Sequence, residues 1–256
     1  MSRRGLSLVG MLVTLMCLAM LLAIALPSIQ QSVTGIKEDG GKAAVSGWGV
    51  QDQLNLYALM QSLNVAALGS NEDFPRPSEL SGSRDLGDDT TANLYSLMVM
   101  QRMISPKQLV SKVDTLVEVD DDYDFLQYDP RSRVYWDPAF SADLDDISNV
   151  SYAHMPLFGD RLDRHWGPQL STSFPLFGNR GPRDGIETDE SYACFNGLWS
   201  GYVAFGDGHV EFLDSPGQFG NGPDGLFRMD DPDRHADAIL GFTSAMDESG
   251  PTLQWD

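Results

Sequence analysis

The side chains able to do chemistry are few in kind: four histidines, two cysteines and 37 acidic residues in a chain of 256. His209 lies two positions from Asp207 across a glycine-rich turn, which invites an acid–base pair or a metal site. Neither Gly-x-Ser-x-Gly nor His-Glu-x-x-His occurs, so the pair has no nucleophile or second ligand at a working spacing. Asp207 is better read as turn chemistry, its carboxylate bonding nearby backbone amides. His154, His165 and His235 lack paired ligand spacing as well. Asp120, Asp122 and Asp124 begin like a calcium loop, but Phe125 stands at its glycine position and Arg131 at its bidentate glutamate position. A solvated acidic loop is therefore expected over Val119–Val150. A second acidic group, Asp224, Asp230, Asp231 and Asp233, is compatible with calcium as the one cofactor worth naming, with no ligand set assigned. Cys17 and Cys194 fall in different compartments of the reading below, so no disulfide joins them. Cys194 reads as a buried apolar residue, and Met98, Met100 and Met103 as core filling.

The elements that must position these residues begin with an apolar run. Leu6 to Leu26 carries no charge, follows Arg3 and Arg4, and ends at Pro27. As a helix it would reach about 30 Å, the thickness of a bilayer's hydrocarbon core, with its basic end in the cytoplasm. All 37 acidic residues lie at or beyond Glu38, against 15 basic ones from Lys37 onward, so the part beyond the membrane carries −22. That charge excludes nucleic acid and anionic membrane surfaces as partners. Glycines at 35, 40, 41, 47 and 49 break the stretch that follows. A helix is expected over Gln51–Leu68, with Leu56, Leu59, Met60, Leu63, Ala66 and Ala67 as its core stripe. Asn71–Asp89 reads as a loop, and Thr91–Met103 as a second helix ended by Ser105-Pro106. Pro156–Arg161 and Pro175–Arg180 repeat one pattern and read as two similar strand-to-turn corners. Tyr202–Phe205 and His209–Leu213 flank Gly206-Asp207-Gly208 as a β-hairpin. The fold class expected is α+β: a long N-terminal transmembrane helix, then a head with a mainly antiparallel sheet.

Two motifs carry a family resemblance. Gly5-Leu6-Ser7-Leu8-Val9 resembles the prepilin signal of type IV pilins and type II secretion pseudopilins, and Pro27 lies 22 residues past Gly5, at that family's spacing. The resemblance implies cleavage after Gly5 by prepilin peptidase and N-methylation of Leu6. It further implies a leader at 1–5, a membrane and stem helix at 6–34 kinked at Pro27, and a pilin-like periplasmic head at 35–256. The segment Val203–Phe212, with Phe205, Asp207, Gly208, His209 and Phe212, is similar to the C-terminal signature of bacterial pseudopilin-like proteins, His-x9-Asp-Gly. Gly197 stands where that family has the histidine, and Ser111 falls where it has a cysteine nearby. Gly10 replaces a glutamate that the family uses to neutralise a neighbour's N-terminal amine within the bilayer, which argues against a major fibre subunit. The function implied is a single-pass inner-membrane structural subunit, not an enzyme, assembling with other pseudopilin-like subunits. Two readings compete: a membrane-anchored binding protein that forms no fibre, and a secreted enzyme released by signal peptidase after Ala25.

Overall fold

The structure, a computed structural model, describes residues 48–69, 73–112, 114–168, 174–183, 194–195, 198–218, 225–227 and 238–254. Gly5, Leu6, Gly10, Pro27, Cys17, Gly197, His235 and the acidic group at 224–233 lie outside them. By internal contacts the chain divides at Val50, and the account below concerns the unit Gln51–Asp256.

Helix α1 (Trp48–Ala67) opens the described chain. It starts three residues before the expected Gln51 and takes in Gly49. The expected stripe is its core face: Leu56, Leu59, Met60, Leu63 and Ala67 are buried, with Ala66 at its margin. Each large side chain withdrawn this way contributes roughly 2 kcal/mol. The stretch expected as a plain loop contains helix α2 (Pro77–Leu80) and a 3₁₀ turn at Leu86–Asp88. Pro77 supplies a preset first helical position. The buried Asp89 accepts the Ser78 backbone N–H at 2.9 Å and its hydroxyl at 2.8 Å, which composition alone does not reveal.

Helix α3 (Thr91–Met100) is capped by Thr90, whose side chain accepts the Asn93 N–H. It stops three residues short of the expected Met103. Arg102 takes a left-handed φ of 59°, Met103 N–H reaches the Met98 carbonyl at 2.9 Å, and Arg102 N–H reaches that of Val99 at 2.8 Å. This is a Schellman ending with arginine where glycine is usual. The Arg102 guanidinium sits 4.7 Å over the Phe125 ring, which helps hold that conformation. Ser105 then forms a capping box with Gln108 over a single 3₁₀ turn from Pro106.

The acidic middle has no regular element beyond a 3₁₀ turn at Phe125–Gln127, and Asp121 and Asp122 are exposed as expected. It is more than a solvated loop, however: Tyr123, Phe140, Leu144 and Val150 enter the same hydrophobic core as α1 and α3.

The sheet confirms the α+β, mainly antiparallel expectation. Strands β1 (Tyr152–His154), β2 (Pro175–Asn179), β5 (Gly201–Phe205) and β6 (Val210–Leu213) lie in that order, every neighbour antiparallel. Two further antiparallel pairs are β3 (Cys194–Phe195) with β4 (Leu198–Trp199), and β7 (Phe242–Asp247) with β8 (Gly250–Gln254). The repeated segments do not make two similar corners. Pro156-Leu157-Phe158 leads into helix α4 (Gly159–His165), whereas Pro175–Asn179 is a central strand. Backbone context separates them: Gly159 adopts φ 62°, while a Cβ on Gly178 would meet Leu240 at 2.9 Å and the Tyr202 carbonyl at 3.2 Å. Among the described residues no helix is long and apolar enough to cross a membrane.

Candidate functional site

The hairpin expected at Tyr202–Leu213 forms as β5 and β6, with Ala204 opposite Val210 and Tyr202 opposite Phe212. The Tyr202 and Phe212 rings meet edge to face at 5.1 Å, a cross-strand pair that fixes register. The turn closes through Gly208 N–H to the Phe205 carbonyl at 2.8 Å, and Gly208 takes the φ of 89° that a side chain would resist. Asp207 accepts the His209 backbone N–H at 3.2 Å and also faces His209 Nδ1 closely. His209 stacks on Phe205 at 4.3 Å, and its Nε2 lies 4.0 Å from Glu211. Asp207 therefore does the turn chemistry expected of it; Phe205, Asp207, Gly208 and His209 form one compact corner, and Phe212 pairs with Tyr202 toward the hairpin's other end.

Beneath the hairpin lies a polar network that the sequence did not disclose. Asp52 projects from α1 with no exposed surface. Its carboxylate accepts the Tyr152 hydroxyl at 2.9 Å, the Ser111 hydroxyl at 2.9 Å and the Asn179 amide at 3.0 Å. Burial pushes the Asp52 carboxyl above its usual range, and the three donors pull against that. Asn55, one turn along, donates to the Tyr152 hydroxyl at 2.9 Å, and Asn179 accepts the Tyr202 N–H at 2.7 Å. A line of hydrogen bonds thus runs from α1 through β1 and β2 to the β5–β6 hairpin. Ser111 serves here as a donor to Asp52.

The next residue, Arg180, is buried and grips the buried Asp114 with two bonds, at 2.9 and 2.8 Å. Its carbonyl accepts the Trp199 indole N–H at 3.2 Å. A Cβ on Gly181 would fall 2.5 Å from the Phe227 ring. Phe177-Gly178-Asn179-Arg180-Gly181 is therefore a packed junction, each residue with a separate task.

The two other described histidines, His154 and His165, are structural in their surroundings. His154 is wholly buried; its Nδ1 meets the Met155 carbonyl at 2.7 Å and its Nε2 the Thr91 hydroxyl at 2.8 Å. The Met155 carbonyl can only accept, so the imidazole proton sits on Nδ1 and the neutral ring's Nε2 accepts the Thr91 hydroxyl, whose oxygen accepts the Thr243 N–H at 2.7 Å. Burial lowers the His154 pKa to about 4. His165 stacks on Phe174 at 4.0 Å, and burial, aided by Arg164 and Arg161, lowers its pKa. In the acidic middle Asp120 and Asp124 cap the backbone of Asp122 and Leu126, and the buried Asp137 accepts from Asp124 and Ala139. Burial raises the Asp120 carboxyl, with repulsion from Asp137, Asp122 and Asp121 in the same direction. Among the described residues no three His, Cys, Asp or Glu side chains are placed to hold a metal ion.

Asp52 had one legible signal: it is the sole charged residue in α1. A lone carboxylate in an uncharged helix marks a partner inside the fold. Asn179 and Arg180 had none beyond their place in a glycine-flanked segment. No protein-family model, curated protein or solved structure matches the chain.

Proposed function

We propose that this protein is a pseudopilin-like structural subunit, cut after Gly5 to begin at N-methylated Leu6. Leu6–Leu26 would hold it in the inner membrane, and a pilin-like head would stand in the periplasm. The observation that carries the reading is the place of the signature hairpin: Gly201–Leu213 forms the β5–β6 end of an antiparallel sheet tied to α1 through Asn179 and Asp52. A helix followed by a mainly antiparallel sheet with this hairpin at its end is compatible with a pilin-like head. Gly10 favours a minor subunit over a self-polymerising one, since a buried amine without its carboxylate partner is costly.

Mass spectrometry of the mature N-terminus tests the reading. N-methyl-Leu6 is the expected start, and a start at Leu26 would overturn it in favour of a secreted protein. Gly10 also supports a second reading, an anchored binding protein that never assembles. Crosslinks between neighbouring Leu6–Leu26 segments would favour assembly, and their absence in a correctly processed protein would favour simple anchoring.

A further inference from the structure

Opposite its core stripe, α1 carries a second apolar stripe that the described residues leave largely exposed. Leu54, Tyr57, Val65 and Leu68 are 56, 49, 68 and 86% exposed, with Gln61 exposed between them. Steps of three and four residues keep them on one side of the helix, Leu68 standing just past its end. The only charge in α1, Asp52, is buried, so this face is uncharged in a protein whose formal charge is −20. Scattered exposed apolar residues need no explanation, but a contiguous patch does; this one amounts to about 500 Å². A bilayer surface is a poor occupant. Helices that lie on membranes carry Lys or Arg along their polar face, and α1 has neither.

We propose that this face pairs with the same face of a second copy, antiparallel, about a two-fold axis at Gln61. The spacing is symmetric about that residue: Leu54 and Leu68 lie seven positions away on either side, Tyr57 and Val65 four. Antiparallel pairing sets Leu54 against Leu68 of the second copy and the large Tyr57 against its smaller Val65. The two Gln61 amides meet at the axis, each able to donate and accept. Parallel pairing would oppose tyrosine to tyrosine and valine to valine, leaving one layer crowded and the other open. Antiparallel helices also oppose their dipoles favourably. A Cβ on Gly208 would lie 3.9 Å from Gln61 Nε2, so the signature turn rims the axis. Two such faces together bury about 1,000 Å², the lower bound for a specific interface. The pair is accordingly weak, and salt strengthens it by screening the repulsion between two acidic heads. This pairing uses residues 54–68 and does not rest on processing after Gly5.

The test uses single cysteines in the full-length chain carrying Cys17→Ala and Cys194→Ala, oxidised in non-ionic detergent. Gln61→Cys should form a disulfide dimer. Leu54→Cys alone should not, because antiparallel pairing holds the two copies' positions 54 about 21 Å apart. Leu54→Cys co-expressed with Leu68→Cys should give a mixed dimer. Adding Leu54→Asp and Val65→Asp to the Gln61→Cys chain should cut its crosslinking at least about tenfold with unchanged circular dichroism, since both positions are exposed. Self-crosslinking of Leu54→Cys, or none by Gln61→Cys at any salt concentration, overturns the proposal. So does protection of both positions from a soluble maleimide by lipid vesicles without crosslinking. Sedimentation of the chain with its native cysteines reads the same property independently. The dimer fraction should rise between about 0.05 and 0.5 M salt, and a fall refutes the uncharged interface.

Discussion

Lowering the pH from about 7 to about 4 should cost the folded unit Gln51–Asp256 about 3 kcal/mol through one side chain, His154. In the fold its pKa is about 4, against 6.5 for an ordinary histidine. The cause is burial: the ring has no exposed surface, and no carboxylate is bonded to either nitrogen. The folded pKa is depressed, so the unfolded chain takes up a proton first as the pH falls. His154's contribution is therefore fully present above pH 6.5, declines through the interval between 6.5 and about 4, and is then exhausted. At about 1.4 kcal/mol per pH unit across that interval the total is about 3 kcal/mol. Asp52 and Asp89 act in the opposite sense. Burial raises both carboxyls, so above pH 3.8 their ionisation disfavours the fold and acid relieves it. They are common to wild type and His154→Gln, so the difference between the two proteins isolates His154. The assay is urea unfolding of the full-length chain in detergent, followed by tryptophan fluorescence, at intervals from pH 7.5 to 3.5. His154→Gln should be less stable at neutral pH, because glutamine cannot reproduce both ring bonds, and the gap should narrow by about 3 kcal/mol toward pH 4. A gap constant to within about 0.5 kcal/mol would refute the account of a dry, neutral imidazole.

Two further outcomes test the packing of the core and the end of α3. Arg180→Met leaves Asp114 buried without its bidentate partner and should lower unfolding free energy by about 3–5 kcal/mol, whereas Arg180→Met with Asp114→Leu should recover most of that loss. A double variant as unstable as the single one would show that the buried pair does more than satisfy its own charges. At the left-handed end of α3, Arg102→Gly should be more stable than Arg102→Ala by about 1 kcal/mol in chemical denaturation, since both lose the Phe125 contact and glycine alone escapes the φ of 59°. Equal stabilities would remove the conformational argument.

What was legible in the sequence was periodic or local. The core stripe of α1 follows from 3.6-residue spacing, and the β5–β6 hairpin from alternation around a glycine-rich turn. Both signals survive because the residues that set them are neighbours in the chain. The shortened α3 was missed because its end depends on Arg102 reaching Phe125, 23 positions away. The repeated Pro-Leu-Phe-Gly segments were misread for a similar reason. The same four residues give a helix entry where Gly159 is free to adopt a positive φ and a central strand where Gly178 is closed in by Leu240 and Tyr202. The candidate site was half legible: its surface turn was, and the bonds joining Asp52 to Ser111, Tyr152 and Asn179 were not. Those partners are 59, 100 and 127 positions from Asp52. No spacing rule reaches that far.

The two faces of α1 obey opposite demands, and the contrast bears on what the helix is for. Inward, it places its only charge where three donors converge, an arrangement that fixes register because a slip would strand a buried carboxylate. Outward, Leu54, Tyr57, Val65 and Leu68 are exposed and contribute little to the core of the described residues, and lysine or glutamate there would favour both solubility and helix formation. Elsewhere the chain from Lys37 onward is dense in aspartate and glutamate, so a scarcity of charged residues cannot explain an uncharged outer face. The core of the described residues does not call for this stripe either, and its symmetry about Gln61 fits the proposed pairing with a second copy of the same helix.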